Sequence, residues 1–472
     1  MSKSILIKNP MLCARMDGKY GTDDMVNAFK GGHIYIEDGV IRSAGPEPYN
    51  GNADEEIDAS RMVVVPGFVN THHHFYQTLT RNIFNVQNEG LFQWLITHYE
   101  IWREISEEAV YNAAKLAMVE LLKSGCTTTS DHHYLFPSST SGELIDAEFR
   151  AAQELGMRFQ PTRGSMSLGK SDGGLPPDDV IQTEKAIEED TIRLINKYHD
   201  ESPGAMTRIA LGPCSPFSVT PELMKQTVEL GKKYNLQIHT HLAETYDEQE
   251  FCVETYGMRP FAYLQSLGWI RNNAWFAHSI HLNEDEIKQA GKAKMGVTHC
   301  PTSNMRLGSG IAKIKELLQA GAKVSLGVDG SASNDSSNML LELRNAMLLS
   351  RLREKEKWLT AEDVFYMATR GGSDVLNRTD IGEISVGKQA DLNLISMDRV
   401  EFSGALHDPL AALVFSAAME PFDYVIVNGK VVVRNGTIEH LDEKLLIKKH
   451  QQLSQKIVEN AGGKSGSGYR RF

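Results

Sequence analysis

Between Pro66 and Gly372, eight short apolar runs alternate with longer stretches whose apolar residues recur at helical spacing. A chain patterned this way buries each run in a parallel sheet and covers it with the helix that follows. The runs are Gly67 to Thr71, Thr127 to Asp131, Arg158 to Thr162, Thr207 to Leu211, Gln237 to His241, Ala274 to His278, Gly296 to His299 and Lys323 to Val328. Helical stretches such as Glu107 to Lys123, Pro221 to Tyr234 and Ser337 to Arg353 fall between or after them. Eight such units predict an α/β fold of the TIM (β/α)8 barrel type, with a doubly wound open sheet as the alternative.

Both ends of the chain have a different texture. Ile5 to Lys8, His33 to Glu37 and Met62 to Val65 read as strands between turn-rich clusters, and so do Asp391 to Ile395, Tyr424 to Val427 and Lys430 to Arg434. The two ends are expected to pair into one small β-domain, built from residues 1–65 and 382–441 around a barrel at 66–381. Residues 442–472 read as a helix, Asp442 to Glu459, followed by a Gly- and Ser-rich flexible tail from Gly462.

Composition narrows the partners. With 41% apolar and 23% charged residues in 472, the chain can bury a large core. Its net charge of −12, from 49 basic and 61 acidic side chains, argues against nucleic acid and anionic membrane surfaces. No run approaches the roughly 18 apolar residues of a membrane span, and the N-terminus lacks the apolar stretch of an export signal. The five cysteines stand far apart with no C-x-x-C pair, as expected of a chain in a reducing cytoplasm.

Several of the runs end in polar residues, at the barrel face where such folds carry their sites. In Asn70-Thr71-His72-His73-His74, residues 72 and 74 point to one side of an extended strand and can share a divalent metal, although three consecutive histidines can also form a plain surface cluster. The fifth run ends His239-Thr240-His241-Leu242-Ala243-Glu244, the sixth in His278, and the eighth delivers Asp329. His239 shares the face of His241 and is expected to sit deeper. Imidazoles with one aspartate suit a metal such as zinc with an open position for water.

The segments Pro66 to His74, His241 to Glu244, His278 and Asp329 in this order resemble the amidohydrolase superfamily, in its mononuclear branch of purine and triazine aminohydrolases. Gly382 to Leu392 and Val427 to Lys430 are similar to the closing phrases of that family. Asn70 to Arg81, Gly212 to Val219, His299 to Pro301 and Asp329 to Asp335 resemble the 8-oxoguanine deaminases, with the hydroxydechloroatrazine ethylaminohydrolases as a sister group. The resemblance implies a distorted barrel with a small β-sandwich made by both chain ends. It also implies one divalent metal, Zn2+ or Fe2+, on His72, His74, His241 and Asp329, and hydrolytic deamination of an aminated heterocycle by a homo-oligomeric enzyme. Glu244 would be the proton donor, His278 would orient the water and Asp329 would shuttle its proton.

Gln77 can pair with a lactam edge, and Trp94 can stack on a flat ring or serve as ordinary core. His132, Arg163 and Ser331 are placed at the same rim as ring contacts, against the alternatives of a satisfied histidine, an ion pair and a helix cap. His299 is expected behind the site.

Overall fold

The computed structural model describes residues 4–140, 143–353, 358–416 and 419–465. Each of the eight expected runs contributes residues to a strand, and each strand pairs in parallel with its neighbours in the chain. The first strand is Phe68–Asn70 and the second Cys126–Thr129, resuming at His132–His133. The third is Arg158–Phe159, resuming at Thr162–Ser165, and the fourth Ala210–Pro213. The fifth to eighth are Ile238–Leu242, Ala274–His278, Gly296–His299 and Lys323–Leu326. Interruptions in the second and third strands divide the array into a three-stranded and a seven-stranded ladder.

Hydrogen bonds also join the first strand to the eighth. The amide of Thr71 donates to Leu326 O at 3.3 Å and that of Asp329 to His72 O at 3.1 Å. The Asn70 side chain accepts from Val328 N at 3.0 Å. Strands covered on both faces must be apolar or internally satisfied throughout, which is why they read as unbroken apolar runs.

Most strand limits shift by one or two residues from the sequence reading, and the third and fourth strands depart furthest. The fourth strand lies at Ala210–Pro213 and not at Thr207 to Leu211, where Thr207 makes only an isolated bridge to Phe159. Gly212 reads as a breaker but is required: a Cβ there would fall 2.5 Å from Thr162 Oγ1. The third strand runs on to Ser165 through Gly164, whose missing Cβ makes room for His133 O. Helix starts follow their capping residues. Ser106 accepts from Ala109 N ahead of Glu107–Lys123, and Thr220 accepts from Leu223 N ahead of Pro221–Lys233, with proline in the first turn.

At the chain ends, Met62–Pro66 pairs antiparallel with Leu392–Ser396, so N- and C-terminal segments share a six-stranded sheet. A four-stranded sheet, built on Ile5–Lys8 and His33–Glu37, meets it through Ile5, Ile7, Ile34 and Ile36, packed with Val64, Leu392, Leu394 and Ile426.

The terminal helix runs Glu443–Ser465, so Gly462 and Gly463 are helical and do not begin a flexible tail; residues 466–472 lie outside the described residues. Buried Leu446, His450, Leu453, Ile457 and Ala461 recur at three- and four-residue spacing and hold one helix face against the molecule as far as the glycines. His450 Nε2 lies 3.0 Å from Thr78 Oγ1, and Ser454 Oγ donates to Leu79 O. Among the described residues, no helix is long and apolar enough to cross a membrane.

One buried ion pair ties the parallel array to the chain-end sheets. Arg158 on the third strand grips Asp391 with two hydrogen bonds, at 3.0 and 3.1 Å, and also donates to the carbonyls of Gly204 and Ala205. Removing one partner strands a charge in the interior, which typically costs about 3–5 kcal/mol. Asp391→Ala is therefore expected to destabilise the protein by about that amount in denaturant unfolding, and an unchanged midpoint would show that the pair contributes nothing net.

Candidate metal centre and pocket

Where the strands end, four imidazoles and a carboxylate converge in the interior. His72 and His74 place their Nε2 atoms 3.4 and 3.3 Å from Asp329 Oδ1. His241 Nε2 lies 3.4 Å from His74 Nε2. His278 Nε2 lies 3.4 Å from Glu244 Oε2 and 3.9 Å from Asp329 Oδ2.

Each ring is aimed by a bond at its other nitrogen. His72 Nδ1 meets His239 Nε2 at 2.8 Å, His74 Nδ1 meets His132 O at 2.8 Å, His241 Nδ1 meets Cys214 O at 2.6 Å and His278 Nδ1 meets Asn304 Oδ1 at 2.9 Å. Carbonyl oxygens can only accept, so Nδ1 of His74 and His241 carries the proton and Nε2 presents a lone pair inward. His239 in turn donates from Nδ1 to Trp275 O at 2.9 Å, leaving its Nε2 to accept from His72. His239 thus sits behind His72, as expected of a deeper histidine.

Burial dominates the electrostatics. It draws His72 well below the usual histidine range and His241 down to about 3, helped by neighbouring imidazoles, so both remain neutral donors. Burial also draws His74 down, but Asp329 and Asp131 more than offset it and its pKa is raised. Burial pushes Asp329 up, but the close approach of His72 and His74 more than offsets it and holds the carboxyl well below its usual range. Glu244 is raised well above the carboxylate range, first by burial and then by the charges of Asp329 and Glu248.

This donor set suits a divalent cation. His72 Nε2 is buried without a partner, and neutral imidazoles with one ionised carboxylate are borderline ligands of the kind zinc takes. His72, His74 and Asp329 offer ligand atoms within 4.8 Å of one another, and so do His72, His132 and His241.

A pocket adjoins the centre. Gln77 and Trp94 line it beside His74, His241, Glu244, His278 and Asp329. Gln77 is carried by the turn Phe75–Thr80, and its Oε1 is buried without a partner.

Three expected ring contacts are not part of the lining. Arg163 points outward: its guanidinium bonds Asp190 and Gln182 at 2.9 Å and lies 4.1 Å over the Phe136 ring, because strand alternation turns Thr162 inward and its neighbour out. His132 bonds Gly212 O at 2.7 Å and stacks on His241 below the pocket floor. Ser331 meets Ser337 and Arg81, while Ser333, two residues on, lines the pocket instead. His299 faces a separate cleft with Ile314 and Ser350.

Sequence reasoning missed Glu248. Its carboxylate accepts from Ala243 N and Glu244 N, both at 2.8 Å, and holds the backbone that presents Glu244. The signal was present as Thr245-x-x-Glu248, a helix-start pattern, but the glutamate reaches past the cap to the loop before it. Asn304, which orients His278, had no such signal.

A parallel α/β array whose strand tips assemble histidines and an aspartate is the arrangement of a metal-dependent hydrolase. The chain belongs to the amidohydrolase family, whose model matches residues 63–432. It is 50% identical over 430 residues to 8-oxoguanine deaminase of Pseudomonas aeruginosa, covering 90% of this chain and 95% of that protein. It is 33% identical to hydroxydechloroatrazine ethylaminohydrolase of Pseudomonas sp. strain ADP, over 90% and 91% of the two chains. The crystal structure of atrazine chlorohydrolase from Arthrobacter aurescens TC1 complexed with zinc superposes with a TM-score of 0.90 at 32% identity, over 95% of this chain and all of that one. With deaminases as relatives along nine-tenths of its length, the chain is a hydrolase acting on carbon–nitrogen bonds.

His72→Ala and Asp329→Ala are expected to remove the bound divalent metal together with activity. Metal analysis of the purified variants checks this, and full metal occupancy in either would exclude that residue as a ligand.

Proposed function

We propose that this protein deaminates 8-oxoguanine, with water, to urate and ammonia, in the cytoplasm and as a homo-oligomer. The observation that carries the reading is the placement of Glu244, buried 3.4 Å from His278 and lining, with Asp329, a pocket whose other walls include Leu91, Trp94, Leu95 and Phe217. The 50% identity to 8-oxoguanine deaminase supports the choice of ring. Around the site, bonds from the first strand to the eighth support a closed barrel over 66–381, and the shared core of the two chain-end sheets supports a β-sandwich from 1–65 and 382–441.

His72, His74, His241 and Asp329 would hold one divalent ion, Zn2+ or Fe2+. Bound there, such an ion supplies Lewis-acid activation of a water, bringing its pKa toward neutrality.

The remaining work falls to the chain's own groups. Asn304 keeps the proton of His278 on Nδ1, so Nε2 accepts a hydrogen bond from the attacking water and orients it. Glu244 donates a proton to the ring nitrogen beside the amine-bearing carbon, which prevents anionic charge from building in the ring. Asp329 takes one proton of the water and passes it to the amine, which leaves as ammonia as its bond to the ring carbon breaks, and the remaining hydroxyl proton returns to Glu244 as the carbonyl forms. Gln77, whose amide can both donate and accept, pairs with the lactam edge next to the reacting carbon, and Trp94 walls the ring plane. The net charge of −12 speaks against a polyanionic partner, and the deaminase relatives support a small heterocycle.

An ammonia-release screen over 8-oxoguanine, guanine, isocytosine, pterins and hydroxytriazines tests the function; release of an alkylamine from an N-alkylated hydroxytriazine, with no ammonia from 8-oxoguanine, would overturn it. The mechanism is tested by Glu244→Gln. This variant should keep its metal and slow turnover by roughly a hundredfold or more. Because the acid form works and its pKa is raised, wild-type activity should persist through neutral pH and decline on the alkaline side, a limb the variant lacks. Near-normal turnover would assign proton delivery to another group.

A further inference from the structure

Four tryptophans are buried: Trp94, Trp102, Trp269 and Trp275. Three of them satisfy their indole N–H. Trp102 donates to Thr80 Oγ1 at 2.9 Å, Trp269 to Met224 O at 3.1 Å and Trp275 to Thr71 O at 3.1 Å. Trp94 has no partner for its Nε1, and of the four it alone lines the pocket. A buried tryptophan normally finds an acceptor, and leaving a donor unmet costs free energy that a bound ligand can recover.

The ring is fixed in place before any ligand arrives. His98, one turn on, packs on it at 4.3 Å between centroids and anchors its own Nδ1 to Trp94 O at 2.9 Å. Trp102 meets the ring edge-on at 5.5 Å. A donor that cannot swing away is preorganised for one acceptor position. The pocket holds a second unmet group in Gln77 Oε1, three residues from His74 on the turn beside the metal centre. Gln77 therefore takes the substrate edge next to the reacting carbon. Trp94, on the helix Leu91–Trp102 that walls the pocket, is left the far ring.

We propose that the Trp94 indole N–H donates a hydrogen bond, edge-on, to an oxo oxygen on the distal ring of the substrate, so that Trp94 selects fused heterocycles oxidised at that ring. This rests on the deaminase reading above and refines its substrate class to 8-oxo over 8-unsubstituted purines. A site built around such a donor rejects the analogue lacking the oxygen, because the N–H is then buried unpaired.

The test compares kcat/KM for 8-oxoguanine and guanine in the metal-loaded wild type and in Trp94→Phe, which keeps a flat ring and removes the donor. The wild type is expected to prefer 8-oxoguanine by about tenfold or more, and Trp94→Phe to lower that ratio by about tenfold. An unchanged ratio in a variant with full metal content and wild-type thermal midpoint would overturn the proposal. Equal wild-type efficiency on the two purines would overturn it without recourse to any variant. Absence of ammonia from every aminated heterocycle would instead refute the deaminase reading, so the two failures are distinct.

Discussion

Everything at the site depends on the seam between the first and eighth strands. The bond from Asp329 N to His72 O sets a carboxylate from near the end of the array opposite an imidazole from its beginning. A slip of one residue would turn one of these side chains to the other face and break the pair. The chain also turns sharply just past the strand tips. Asp329, His278 and Ala243 adopt left-handed backbone with φ of 63°, 72° and 50°, which costs on the order of 1–3 kcal/mol each. Such strain persists only where surrounding packing and bonds enforce it. At Ala243 the enforcement is visible, since Glu248 clamps the amides of both Ala243 and Glu244.

Burial then decides which protons are where. Burial lowers the pKa of His72, His241 and His278, while His74 alone of the four is raised by Asp329 and Asp131, so the histidines share a small volume with little mutual repulsion. The carboxylates divide according to their neighbours. Asp329 faces two imidazoles and remains ionised, while Glu244 faces Asp329 and Glu248 and retains its proton. Two acidic groups in one pocket are thereby shifted in opposite directions by environment alone.

Much of the scaffold was legible because its strands are buried on both faces and read as continuous apolar runs: Ala274–His278 and Gly296–His299 match to the residue. The fourth strand was misplaced because Gly212 and Pro213 look like a turn, and only the neighbouring Thr162 side chain shows why glycine belongs there. The inward histidines were legible from period-two spacing. Arg163 was misread because the position of a strand end in sequence does not reveal which face an individual residue takes, and its partners Asp190 and Gln182 lie on later elements. Asn304 acts on a ring nitrogen of another element, a contact that no local pattern encodes, while Glu248 sits in a recognisable helix-start pattern but reaches past the cap to the amides of Ala243 and Glu244.

The grip of the terminal helix on the turn that carries Gln77 has a consequence for biosynthesis. His450 and Ser454 fasten Thr78 and Leu79, more than 370 residues upstream. During translation at about 5–20 residues per second, the earlier strands leave the ribosome well before these clamps do. The nascent chain can gather its inward histidines while the Gln77 turn still lacks its outer support. The outer support of this pocket wall is thus supplied by a segment made more than 370 residues after the turn it holds.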